Sequence, residues 1–333
     1  MHETRWNDGT FTTQLESLVW TASPLIRRYL HRVATGDPAC DWLTGVRFRY
    51  LPVVVRRALV LGCGSGWLER ALATPGGGIR EIVACDFAKE TVERAREKAE
   101  SEGKGAIDYR VVDLEHDPLP PGRFDVIIAN DVLHHITGLE RLYALIHDAL
   151  EPRGRFVFNE YVGPNRFQYS DERIELVNRY FRLFPDNLRW DPVSNTCLWK
   201  RTRIDERKLT EEDPTEAVRS EDVLPLARRA FLPVAEIPYG GGLLNPLLFG
   251  VIAGFEPGHP EHDRVLEVLC AAEERLTETG QLEPDFHIFV GRRRDDRDAA
   301  VPTEAESGPP DADRSAAASE SGGAQRPPQP PGE

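Results

Sequence analysis

The chain has little that would tie it to a membrane, an oxidising compartment or a polyanion. Five cysteines are spread over 333 residues, Cys40, Cys63, Cys85, Cys197 and Cys270, odd in number and without a CxxC or Cys/His grouping. That pattern argues against a disulfide framework and a structural zinc site and for a reduced chain. No stretch approaches the roughly 18 apolar residues of a spanning helix. The opening Met1-His-Glu-Thr-Arg-Trp-Asn-Asp-Gly has no basic flank running into an apolar segment, so neither secretion nor membrane insertion is expected and a cytoplasmic location is. Positive charge is short: 41 Lys and Arg stand against 55 Asp and Glu, a net charge of −14. Residues 292–333 hold six Arg and nine acidic residues, so the acidity belongs to the body, which argues against a nucleic-acid partner. No His/Asp/Glu cluster with ligand spacing appears along the chain, so no metal is expected.

What is present is a regular alternation of apolar strands and amphipathic helices from Ala58 to Asn159. It predicts strands at Ala58–Leu61, Glu81–Cys85, Tyr109–Val112, Asp125–Ala129 and Arg155–Asn159, with helices between most of them. Such an alternation implies an α/β fold with a parallel sheet and right-handed crossovers. Before it, apolar positions three or four apart from Leu15 to Leu30 predict a helical cap, with Pro24 opening a helix behind Ser23. After Glu160 the alternation stops. Helices are expected over 171–184, 220–231 and 262–280, and late strands over 234–237 and 286–290. From Arg292 the chain turns to Ala, Ser, Gly, Pro and charge, too poor in apolar residues to offset chain entropy, and is expected to be disordered.

The chemistry-bearing feature is Ala58-Leu-Val-Leu-Gly-Cys-Gly-Ser-Gly66, a strand that breaks into Gly62, Gly64 and Gly66, with Asp86 closing the next apolar run. A strand, a glycine loop, a helix, a second strand and a carboxylate is how α/β proteins hold an adenosine-bearing ligand. The spacing G-x-G-x-G departs from the dinucleotide pattern G-x-G-x-x-G, and no P-loop pattern occurs.

In this loop the chain resembles class I, Rossmann-like, S-adenosylmethionine-dependent methyltransferases, with Leu61 where an acidic residue often stands. Val111-Val-Asp-Leu114 and Phe124-Asp-Val-Ile-Ile-Ala-Asn-Asp-Val-Leu-His-His-Ile136 follow in that family's order, and residues 55–161 carry the match. The resemblance implies a seven-stranded, mostly parallel sheet whose last strand is antiparallel, and S-adenosyl-L-methionine as cofactor. The residues it implies for the cofactor are Leu61, Gly62, Cys63, Gly64, Gly66, Asp86, Phe87, Asp113, Leu114, Asn130 and Asp131. Asp113 has a second reading, as a turn cap.

His134 and His135 follow the fourth strand, at the edge where open α/β sheets place ligands. His135 is the preferred general base for a hydroxyl acceptor, with His134 and Glu160 as the other catalytic candidates. Segments outside the sheet, Gly36-Asp-Pro38 with Asp41-Trp42, 160–168, 213–220 and 238–244, resemble a bacterial subgroup of these enzymes associated with glycan and secondary-metabolite genes. Tyr161, Asn165, Arg166, Glu216, Arg219 and Tyr239 are the candidate acceptor contacts.

The expected organisation is a cap (1–52), a cofactor-binding core (53–163), an acceptor-binding insertion (164–233), the rest of the sheet (234–291) and a tail (292–333). The expected activity is methylation, at oxygen before nitrogen or carbon, of a small molecule or glycan precursor. Two rivals are a same-fold enzyme that uses the bound sulfonium only as a cation, for a cyclisation or elimination, and a non-catalytic binding protein on the same scaffold, whose mark, a degraded glycine loop or a missing ribose carboxylate, the sequence does not carry. Nucleic acid is disfavoured as acceptor because no N/D-P-P-Y/F tetrad stands at Asn130-Asp-Val-Leu133. Homo-oligomerisation is left open.

Overall fold

The fold follows from strands that are apolar on both sides. In a computed structural model describing residues 17–74, 78–192 and 194–294, β1 (Val55–Leu61) sends Leu59 and Leu61 into one apolar cluster and Ala58 and Val60 into the other. β4 (Phe124–Asn130) divides Ile127 and Ala129 from Val126 and Ile128 in the same way. Successive side chains on a strand point to opposite faces, so both faces must be covered, as parallel sheets require.

The cap supplies α1 (Pro24–Thr35) and α2 (Trp42–Tyr50). Pro24 opens α1, Gly36 at φ 81° ends it, and Asp41 caps α2 by accepting from the Thr44 N–H at 2.9 Å. Then follow α3 (Trp67–Leu72), β2 (Ile79–Asp86), α4 (Lys89–Ser101), β3 (Asp108–Val111), α5 (Leu139–Ala149) and β5 (Leu150–Tyr161). The stretch after β5 contains α6 (Asp171–Phe181), α7 (Glu206–Glu212) and α8 (Ser220–Ala230). The chain closes with β6 (Phe231–Gly240), α9 (Leu244–Leu248), α10 (Pro260–Glu278) and β7 (Phe286–Arg293).

The sheet order is β3-β2-β1-β4-β5-β7-β6. β7 runs antiparallel to β5 and β6 on either side of it, and the remaining pairs are parallel. The predicted class, seven strands with the last antiparallel, is therefore the observed one. Strand order reverses between β1 and β4, which are neighbours although β2 and β3 separate them in sequence. The crevice at their carboxyl ends is where such sheets bind ligands. β5 and β6 start earlier than the apolar runs indicate, at Leu150 and Phe231, because backbone pairing extends to Phe124 and Arg293 and buries Leu150 and Phe231 in the core beyond the interrupted apolar pattern.

Among the described residues no helix is long and apolar enough to cross a membrane. The expected disordered tail beyond Arg294 and the first sixteen residues of the cap lie outside the described residues.

Candidate active site

The loop after β1 is shaped by glycine where side chains are excluded. Gly62 has φ 64°, and a Cβ there would lie 2.5 Å from Val132 Cγ2, so only glycine lets the first and fourth strand ends meet. Gly64 also has positive φ, at 49°, yet nothing lies within 4 Å of where its Cβ would be; its outer side is open. The Gly64 N–H donates to Asp86 Oδ2 at 3.0 Å and the Ala88 N–H to Oδ1 at 3.0 Å. Asp86 is thus a brace for the loop as well as a carboxylate at the crevice, and burial raises its pKa. Leu61, Cys63 and Cys85 are buried behind the loop, while Phe87 and Trp67 are exposed beside it. Asp113 accepts from the Glu115 N–H at 2.9 Å and pairs with His116 at 2.8 Å, which is the turn-cap geometry, and Leu114 is buried.

At the end of β4 a second constellation forms. Glu160, wholly buried on β5, accepts from the Val132 and Leu133 N–H groups at 2.5 and 2.6 Å through Oε1. Its Oε2 lies 2.7 Å from His134 Nδ1. A carboxylate only accepts, so Nδ1 of His134 holds the proton and Nε2 faces away from Glu160. His135 Nδ1 lies 3.1 Å from Thr215 Oγ1, whose own proton goes to Asp213 Oδ1 at 2.8 Å. His135 therefore donates from Nδ1 as well. Both Nε2 atoms turn toward Glu216, His134 at 3.7 Å from Oε1 and His135 at 3.9 Å from Oε2. Burial alone would lower the His134 pKa; the Glu160 carboxylate against it prevails and pushes it up to about 9. Asp131, at φ 50°, stands at the mouth of this recess, exposed to solvent yet walled by protein. Desolvation, then Glu160, raises its pKa.

Residues 59–158 match the family described as a methyltransferase domain. Two curated relatives agree. A malonyl-[acyl-carrier protein] O-methyltransferase of Legionella pneumophila is 29% identical over 136 residues, 40% of this chain and 46% of that one. A ubiquinone biosynthesis O-methyltransferase of Methylocella silvestris is 32% identical over 114 residues, 34% of this chain and 43% of that one.

The chain carries a methyltransferase domain over residues 59–158.

It spans less than half the length of these relatives. Among solved structures, an S-adenosylmethionine-dependent methyltransferase from Mesorhizobium loti covers 75% of this chain and 97% of its own at 19% identity and a TM-score of 0.46. The cofactor of the methyltransferase domain is S-adenosylmethionine. The residues here fit it: an open backbone cradle at Gly64, the Asp86 carboxylate beside it and the apolar face of Phe87.

Around the domain, the predicted contacts have protein partners of their own. Glu160 meets no open space and serves to fix His134. Tyr161 is buried and donates its hydroxyl proton to Pro164 O at 3.0 Å. Arg166 donates to the carbonyls of Asp213, Pro214 and Glu216 at 3.4, 2.5 and 2.8 Å, and so clamps the loop that presents Glu216. Arg219 forks onto Glu140 at 2.8 and 2.9 Å and onto Asp222 at 2.8 Å. Asn165 accepts from Ser220 Oγ and the Glu221 N–H. Tyr239 donates to Asn159 Oδ1, Asn159 Nδ2 to Asn130 Oδ1, and Asn130 Nδ2 to Asp131 Oδ2, at 2.5, 2.9 and 2.9 Å. Every donor in this chain of bonds points toward Asp131.

Three participants escaped the sequence reading. Asp213 and Thr215 just precede Glu216 in a segment already singled out, and Asn159 is a polar residue at the end of an apolar strand. The expectation of no metal-ligand cluster rested on spacing along the chain; through space, among the described residues, ligand atoms of His134, His135 and Glu216 all lie within 4.8 Å of one another. A separate groove of about 800 Å³, lined by Ser23, Arg27, Trp67, Ile252 and Phe255 among others, contains none of these groups.

Proposed function

We propose that this chain transfers the methyl group of S-adenosylmethionine to a hydroxyl of a small-molecule acceptor, a metabolite or glycan precursor, with His135 as the base. The observation that supports this most is the tautomer of His135. Its Nδ1 donates to Thr215, so in the neutral ring Nε2 carries the lone pair, and it faces the recess at the carboxyl end of β4. The recess adjoins the glycine loop, because Val132 packs against Gly62 only two and three residues before the histidines.

When bound, the cofactor supplies an electrophilic methyl on a sulfonium centre. The protein's part is alignment and removal of one proton. Gly64 and Asp86 seat the donor. His134, tied to Glu160 and charged at neutral pH, places positive charge beside the acceptor oxygen, and His135 Nε2 takes the hydroxyl proton. Asp131, Glu216 and the Asn130 amide border the space left for the acceptor. The two curated O-methyltransferase relatives support oxygen as the methylated atom, and we read the 164–233 segment as the acceptor-binding part because it delivers Thr215 and Glu216.

Product analysis tests the reading. S-adenosylhomocysteine formed one-for-one with a methylated hydroxyl compound is expected. Cofactor recovered unchanged after many turnovers overturns it in favour of a cyclisation or elimination.

A further inference from the structure

The convergence of His134, His135 and Glu216 has a second chemical meaning. Two imidazoles and a carboxylate are the ligand types of zinc-class divalent cations, and here they meet from two chain segments about eighty residues apart. We propose that Nε2 of His134, Nε2 of His135 and a carboxylate oxygen of Glu216 form a binding site for one such cation.

Four observations support the assignment. Each histidine already has the partner that a ligating histidine needs on its other nitrogen: Glu160 on Nδ1 of His134, and Thr215 backed by Asp213 on Nδ1 of His135. Such partners fix the tautomer that aims Nε2 at a metal and raise its basicity. Glu216 Oε1 lies 3.7 Å from Nε2 of His134 and Oε2 lies 3.9 Å from Nε2 of His135, and one ligand atom from each residue falls within 4.8 Å of the others, against roughly 3.4 Å between ligand atoms about 2.1 Å from a tetrahedral ion, so a contraction of about an ångström completes the set. The charge is right as well. Glu160, Glu216 and Asp131 bring carboxylates around two imidazoles, and a divalent cation neutralises them where a proton does so only in part. Finally, the two ligand segments are rigidly held, the histidine turn by Glu160 on two backbone N–H groups and the Glu216 loop by Arg166 on three carbonyls.

On binding, the cation displaces the Nε2 proton of His134 to solvent and engages the lone pair of His135, leaving a fourth position open beside Asp131 for water or another oxygen. Metal and hydroxyl proton compete for the same nitrogen. The binding claim stands independently of methyl transfer; the competition rests on His135 being the base.

Calorimetry of zinc into the chelator-treated full chain is expected to give one site. Glu216→Gln and His135→Ala should each weaken it by at least about tenfold. His259→Ala, which removes half of the other close histidine pair, His259 and His262 with ring centroids 4.1 Å apart, should leave it unchanged. X-ray absorption of the zinc-loaded wild type should show two imidazole nitrogens and no sulfur, a reading that needs no variant to fold. No binding by the wild type, affinity unaltered by Glu216→Gln, or loss of the site on His259→Ala overturns the proposal. Zinc bound at this site with undiminished methylation keeps the site and removes His135 as base; failure to bind zinc leaves the methyl-transfer reading intact.

Discussion

Nδ1 of His135 and Oγ1 of Thr215 lie 3.1 Å apart although 80 residues separate them. The threonine hydroxyl gives its proton to Asp213 and so presents only a lone pair to the imidazole. Removing that acceptor frees the ring to rotate and to change tautomer. Thr215→Val should therefore lower kcat by about 10–100-fold with donor affinity unchanged. A Thr215→Ser variant, which restores the hydroxyl, should recover most of the rate, as steady-state kinetics beside donor calorimetry will show.

His135→Ala removes the proposed base outright. Turnover should fall by about 10²–10⁴-fold, while binding of S-adenosylhomocysteine should scarcely move, because Gly64 and Asp86 hold the donor loop by their own hydrogen bond. Full activity would assign proton removal to another group.

Asp86 holds the Gly64 and Ala88 N–H groups and stands at the crevice. Asp86→Ala should weaken donor affinity at least tenfold, on the scale of the ~1.5–3 kcal/mol of a hydrogen bond to a charged group. It should also lower the melting temperature of the donor-free protein, since the loop loses its brace. Unchanged calorimetric affinity would free Asp86 of a donor role even if stability fell.

Glu69 is wholly buried on α3, with the Tyr109 hydroxyl facing its carboxyl but not close enough in geometry for a full hydrogen bond. Burial pushes its pKa from the ordinary 4.5 up to about 7. Between those two values the folded protein keeps a proton that the unfolded chain releases. Unfolding free energy should thus decline as pH rises across this window, by up to about 1.4 kcal/mol per pH unit from this group, and level off above it. Glu69→Gln should flatten that part of the profile and raise stability at pH 8, measurable by urea denaturation across pH.

Much of this architecture was legible before folding was considered. The apolar runs at β1, β2, β4 and β5 and the helical spacing between them specify a parallel sheet, because local backbone preference and two-sided burial leave the same trace in the residue pattern. Gly62, Gly64 and Asp86 were legible for a related reason: a loop that must turn at positive φ and meet a carboxylate leaves glycines at fixed offsets.

The partners of the side chains were not legible. Arg219 and Arg166 were candidate acceptor contacts; the first binds Glu140 and the second three carbonyls, since which anion or oxygen an arginine meets depends on distances through space. Tyr161 and Tyr239 looked like contacts at the strand edge and are buried, their hydroxyls spent on Pro164 and Asn159.

Residue order thus decided the sheet, the loop and the place of the two histidines, all of them consequences of neighbours a few positions apart. Only the folded chain decided which nitrogen of each histidine holds a proton and what it faces. That depended on bringing Glu160, Thr215 and Glu216 to the end of β4 from β5 and from the segment beyond it, and hydrogen bonding and charge act over ångströms of space whatever the separation along the chain.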